Sequence, residues 1–273
     1  MRTKRIGILQ LAATVSLLLA VESNASATLG WYGAYATDSY SGGWLPEFCD
    51  FAGCYGWDTT YGFLDGMYPN NEQVFASGLP STGAPLVEGH GWMFGDLVGA
   101  DLVDVLWLWT HGGVDNGIPA SQWSMWNPNV MVNSSDMRLG DDAKHLKLFV
   151  SYACHTLQND EYWMDRLVPI FEGGLKIMVG SHDIINWGET MDEAGWEFAV
   201  GLQETTIYNA WHGALEDWWF DNDGAIIATG VSWGDCFDRL NSATYSQIVS
   251  DTQRPPLRNG AGWAYCGAFW DNL

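Results

Sequence analysis

Four apolar runs recur along the chain: residues 102–109, 146–152, 175–180 and 225–231. Each is rich in β-branched, aromatic and aliphatic residues and too short for a typical helix. Continuous apolar runs of this length fit strands buried on both faces, as in a parallel sheet covered by helices. Between them the spacing changes. Trp163, Leu167, Ile170 and Phe171 recur at helical intervals within 160–171, with Pro169 placed to end or kink that helix. Met191, Ala194, Phe198 and Leu202 line one face of a helix over 190–202, and a second helical pattern covers 206–218. An aromatic stretch at 28–38 reads as a first strand ending at Asp38. The alternation of strand and helix predicts an α/β fold, a mostly parallel sheet with helices on both faces.

Two regions lack this periodicity. Residues 39–80 carry turn signals such as Ser41-Gly42-Gly43 and Pro69-Asn70-Asn71 and read as a loop-rich aromatic excursion. Residues 113–141 are polar and loop-like, and Asn133-Ser134-Ser135 is formally a glycosylation sequon. Asp221-Asn222-Asp223-Gly224 reads as a plain turn. A calcium loop would need an acidic residue where Trp219 stands, and a later glutamate that is absent.

The first 27 residues read as a secretory signal peptide. Arg2, Lys4 and Arg5 precede an apolar stretch, and Ala25-Ser26-Ala27 is a cleavage site. The expectation is a secreted or periplasmic chain, 28–273, with no membrane association after cleavage. It divides into an excursion at 39–100, a motif-bearing core at 101–233 and a C-terminal segment at 234–273 of one domain. Removing the signal leaves eight basic residues against 32 acidic ones, a net charge of −24. Such a surface repels nucleic acid, so no nucleic-acid partner is expected.

Five cysteines in an exported chain leave at least one thiol over. Cys49 and Cys54 are close enough to close a small loop, and Cys236 and Cys266 share the C-terminal segment. The expectation is those two disulfides, with Cys154 free.

Chemistry concentrates where two of the apolar runs stop. One ends at Trp109-Thr110-His111-Gly112-Gly113, the other at Tyr152-Ala153-Cys154-His155-Thr156. Ligands of open α/β sheets bind just outside the carboxyl ends of strands, so His111 and Cys154 are expected side by side at one sheet edge. A neighbouring imidazole can take a thiol's proton or stabilise the thiolate. Gly112 and Gly113 let the backbone approach a substrate, with N–H groups available to a developing oxyanion. A second His-Gly pair, His90-Gly91, follows no buried strand and is set aside.

A hydrophobic strand ending in His-Gly, then one ending in Ala-Cys 43 residues later, resembles the caspase-like cysteine peptidases: caspases, metacaspases, legumain, clostripain, separase and gingipains. The resemblance covers roughly 101–183 and looks closest to secreted bacterial members. It implies a caspase-like fold and hydrolysis of peptide bonds in a protein or peptide substrate. Cys154 would be the nucleophile, His111 the proton carrier, and the N–H groups of Gly112 and Cys154 the oxyanion donors. It departs from metacaspases, which carry an acidic residue where Tyr152 stands, and from caspases, whose arginine cluster is missing. Asp38, His182 and Asp183 follow strand ends and are candidate substrate-binding residues, the aspartates for arginine or lysine; surface capping explains the aspartates equally well. His155 and His182 beside the dyad invite a zinc reading, but no HxxxH or CxxC pair is present, so neither metal nor cofactor is expected.

The competing function is a non-catalytic binding module that uses Trp44, Trp57, Trp92, Trp123 and Trp126 on glycans. Packing of long loops onto the domain would account for these tryptophans as well. Thiol reactivity separates the two functions, a peptidase being expected to carry one fast-reacting thiol at moderately acidic pH.

Overall fold

The computed structural model describes residues 30–36, 55–68, 70–78, 99–115, 120–124, 131–140, 146–185, 193–216, 223–253 and 263–270. The signal segment, Asp38, the Cys49/Cys54 pair, His90 and tryptophans 44, 92 and 126 lie outside them. In chain order the elements are β1 (Trp31–Ala36), α1 (Tyr55–Met67), β2 (Glu72–Gly78), β3 (Val105–Trp109), β4 (Gly112–Asp115), β5 (Ala120–Ser124) and β6 (Met131–Asn133). There follow β7 (Leu148–Tyr152), α2 (Trp163–Phe171), β8 (Ile177–Ser181), α3 (Ala194–Glu204), α4 (Ile207–Leu215), β9 (Gly224–Gly230), α5 (Trp233–Ser242), α6 (Tyr245–Ser250) and β10 (Ala264–Trp270).

Seven strands form one mixed sheet in the order β10-β9-β8-β7-β3-β1-β2. The five from β2 to β8 are mutually parallel. β9 runs antiparallel to β8, and β10 antiparallel to β9. Two helices, α3 and α4, separate β8 from β9, and the chain returns to the edge it left, with Gly224 opposite Ser181. A single helix would have carried it to the other edge and made β9 parallel.

The central strands read as continuous apolar runs because both faces are covered. Val105, Trp107 and Trp109 of β3, with Leu148, Val150 and Tyr152 of β7, face a layer drawn from α1, α3, α4, α5 and α6. Leu106, Leu108 and Phe149 face the opposite way, toward α2 and the small sheet of β4, β5 and β6. Helices therefore lie on both faces of an α/β fold, although the second face carries α2 and a three-stranded sheet. Pro169 sits inside α2, which ends two residues later at Phe171.

Two regions differ from their loop-like reading. The stretch 39–80 contains α1 and the edge strand β2, and 113–141 contains the antiparallel ladder β4-β5-β6. Their sequences lack a strong apolar period because β2 is an edge and β5 gains its burial from neighbours. Glycine permits one close crossing: a Cβ on Gly195 of α3 would run into the Thr59 carbonyl of α1. In the C-terminal segment the Cys236–Cys266 disulfide joins α5 to β10. No helix of the described residues is long and apolar enough to cross a membrane.

The amino-terminal edge of the sheet is occupied by buried charge. Asp104 pairs with Lys147 and also accepts the Trp31 N–H at 2.9 Å. Arg239 holds Asp251 at 2.7 Å, with Lys176 3.7 Å from the same carboxylate oxygen. The carboxyl-terminal edge carries the residues singled out by the sequence.

Candidate active site

β3 and β7 are paired in parallel with Trp109 opposite Tyr152, and the Thr110 N–H extends the pairing to the Tyr152 carbonyl at 3.3 Å. His111 and Cys154 each lie two residues beyond that last pair. The expected juxtaposition of the two chain segments at one sheet edge therefore follows from register. Gly112 packs directly on the cysteine turn. A Cβ there would lie 2.5 Å from Thr156 Cγ2, 3.0 Å from Ala153 Cβ and closer still to the Cys154 carbonyl. Only glycine fits between the two segments.

The two glycines divide their tasks. Ser124 N–H donates to the His111 carbonyl at 2.9 Å, and Gly112 stands opposite Trp123. That register makes Gly112 a non-hydrogen-bonded position of the β4–β5 ladder, so its N–H points away from β5. Gly113, one residue on, turns its N–H toward β5, and a Cβ on it would meet nothing within 4 Å. Gly112 is thus the glycine whose N–H can face a ligand, whereas Gly113 borders open space.

Cys154 is a free, partly buried cysteine. The Ile185 N–H, from the segment after β8, donates to its Sγ at 3.4 Å. Burial pushes the thiol above its ordinary value; the N–H groups of Ile185 and of Cys154 itself pull it back, and the charge of Asp183 raises it further. Burial also lowers the His111 imidazole. Both directions favour a neutral thiol and a neutral imidazole over a preformed ion pair. These directions argue against the fast reaction at moderately acidic pH that a peptidase of this kind was expected to show.

His155 follows the cysteine with φ of +55°, a left-handed conformation that non-glycine residues adopt only when their surroundings hold them there. Its N–H donates to the Asp183 carbonyl at 2.9 Å, and its Nδ1 lies 3.5 Å from Asp183 Oδ1. Leu157 N–H donates to the Ser181 carbonyl at 2.9 Å, so the cysteine turn is fastened to the end of β8 at two points.

Asp183 therefore lies beside the cysteine turn, as a substrate-binding role requires, with its side chain about half exposed (55%). His182 is directed elsewhere: its Nε2 is 3.1 Å from the Trp270 carbonyl of β10, and its ring stands edge-on to Phe269. Trp123 is fully buried and donates its indole N–H to Ser151 Oγ at 2.8 Å, so it belongs to the core and does not floor an open groove. Asn133 of the sequon accepts a hydrogen bond from Gln122 on β5. No group of three or more His, Cys, Asp or Glu residues with metal-binding geometry occurs among the described residues.

Sequence reasoning missed the Ile185 amide, the strained His155 and the β5 contacts. A backbone N–H and a φ angle leave no mark in residue type, and β5 reads as polar loop.

The fold and site define an α/β protein carrying a histidine and a free cysteine on adjacent parallel strand ends. Residues 90–251 match a family described as a domain of unknown function, DUF6345, and the chain belongs to that family. No curated protein matches the chain.

Proposed function

We propose that this is an exported cysteine peptidase of caspase-like type, acting through His111 and Cys154. The observation that carries the reading is the β3–β7 register, which sets the histidine segment against the free cysteine with Gly112 packed on the cysteine turn. In this mechanism His111 takes the thiol proton as Cys154 Sγ attacks a peptide carbonyl. The negative charge that develops on the carbonyl oxygen is met by the N–H groups of Gly112 and Cys154. Collapse expels the amine, which takes the proton from His111 and leaves an acyl-thioester. Water, deprotonated by His111, hydrolyses the thioester, releases the acid and returns the thiol.

Asp183 supports a preference for a basic residue before the scissile bond. Its carboxylate is half exposed beside the cysteine turn, and the mature surface is strongly acidic. A charge-assisted pair at so exposed a site is worth about tenfold in selectivity.

The test is hydrolysis of fluorogenic peptides ending in arginine, lysine, aspartate or asparagine by wild type, Cys154→Ala and His111→Ala. Wild type should favour the arginine and lysine peptides, and both variants should lose turnover. Equal turnover in all three proteins would remove Cys154 as nucleophile. Turnover confined to the aspartate peptide would remove the role of Asp183.

A further inference from the structure

Beneath Cys154 runs a fully buried chain of hydroxyls. Trp123 Nε1 lies 2.8 Å from Ser151 Oγ, Ser151 Oγ lies 3.0 Å from Thr156 Oγ1, and Thr156 Oγ1 lies 3.2 Å from the Ala153 carbonyl. An indole N–H can only donate and a carbonyl can only accept, so the direction is fixed. Trp123 donates to Ser151, Ser151 to Thr156, and Thr156 to Ala153. Every hydrogen in the chain is used. The same threonine is held from outside the turn, where Ser121 Oγ of β5 donates to its carbonyl at 2.6 Å. Its Cγ2 is also one of the groups against which Gly112 is packed.

The Ala153 carbonyl and the Cys154 N–H belong to one planar peptide unit and point in opposite directions. Whatever fixes the carbonyl also aims the N–H. We infer that Thr156 is a positioning residue of the site: its hydroxyl anchors the Ala153 carbonyl and so orients the Cys154 N–H toward the space where the oxyanion forms. β5 supplies the fixed end of the device through Trp123 and Ser121. It also holds the histidine segment, since Ser124 N–H bonds the His111 carbonyl and the Ser124 carbonyl accepts from Thr110 Oγ1 at 2.5 Å. One short strand thereby sets both halves of the site.

This inference rests on the peptidase reading for its consequence, but its test does not require turnover. Iodoacetamide alkylation of the purified mature protein, followed across pH, gives the midpoint at which the Cys154 thiol ionises. Thr156→Val keeps the methyl group against Gly112 and removes the hydroxyl; Thr156→Ser keeps the hydroxyl and removes the methyl. Freed of its anchor, the Cys154 N–H stabilises the thiolate less, so Thr156→Val should move the midpoint up by about one unit, a tenfold loss of thiolate at a given pH. Thr156→Ser should restore it. Thr156→Ala, which also removes the hydroxyl, should shift it in the same direction and carries the test if Thr156→Val fails to fold. In peptide hydrolysis the valine variant should lose kcat about tenfold to a hundredfold with KM little changed. A wild-type midpoint in Thr156→Val, or in Thr156→Ala where the valine variant is unfolded, overturns the inference. Absence of peptide turnover in wild type, with the midpoint shift intact, overturns the peptidase reading and leaves the positioning role standing.

Discussion

Cys154 and His111 are displaced by burial in opposite directions, the thiol upward and the imidazole downward. A pair in that state has no resting thiolate to offer at acidic pH. Alkylation of the protein alone should therefore rise with pH and reach half its maximum above the ordinary thiol value, with no plateau on the acid side. A rate already maximal near pH 6 would show that an ion pair exists at rest. Both residues were legible in the sequence because each stands just past a run of apolar residues that only a buried strand explains. Asp183 was legible for the same reason, at the end of β8. The Ile185 amide and the left-handed His155 were not, because a backbone conformation is set by what packs around it and not by the residue's own type.

At the level of elements, the parallel centre of the sheet was readable from continuous apolar runs such as Val105–Trp109 and Leu148–Tyr152; β9 was readable as a strand, but its antiparallel direction was not. β2 and β5 were hidden. An edge strand and a strand of a small accessory sheet take their burial from partners, so Ala120–Ser124 carries polar residues that its neighbours cover. The crossing of α1 and α3 was hidden as well, since nothing in residue type shows where two helices touch. A Cβ on Gly195 would collide with the Thr59 carbonyl and come within 2.9 Å of the Phe63 nitrogen. Gly195→Ala should therefore force the helices apart and cost about 1–3 kcal/mol, despite alanine's better helix propensity. Thermal unfolding should show a melting temperature lower by several degrees. An unchanged or raised melting temperature would mean that the crossing yields without strain.

Across the whole molecule, the candidate site and a group of buried charges lie at opposite edges of the sheet. The amino-terminal edge holds buried Asp104, Lys147, Lys176 and Arg239 and the partly buried Asp251, which Arg239 already satisfies. Burial lowers Lys176 from 10.5 to about 8, with Asp251 opposing the shift. The unfolded chain therefore binds this proton more tightly than the folded one. The cost is fully present below about pH 8 and is relieved as pH rises toward 10.5, so this residue makes stability increase across that window. Buried tyrosines act the other way from about pH 10, since Tyr35, raised to about 12 by burial, keeps its proton longer in the folded state. Lys176→Met should raise the melting temperature at pH 7 and flatten the rise between about pH 8 and 10. A lower melting temperature at pH 7 would show that the lysine's attraction to Asp251 outweighs its desolvation.

The claim on which the functional account depends is that His111 activates Cys154 toward a carbonyl. The most direct measurement is labelling by an arginine-ended peptidyl acyloxymethyl ketone, read by intact mass and peptide mapping. The account predicts a single adduct on Cys154 in wild type, none in Cys154→Ala, and a rate at least about tenfold lower in His111→Ala. Labelling of His111→Ala at the wild-type rate, or an adduct that maps elsewhere, would contradict it.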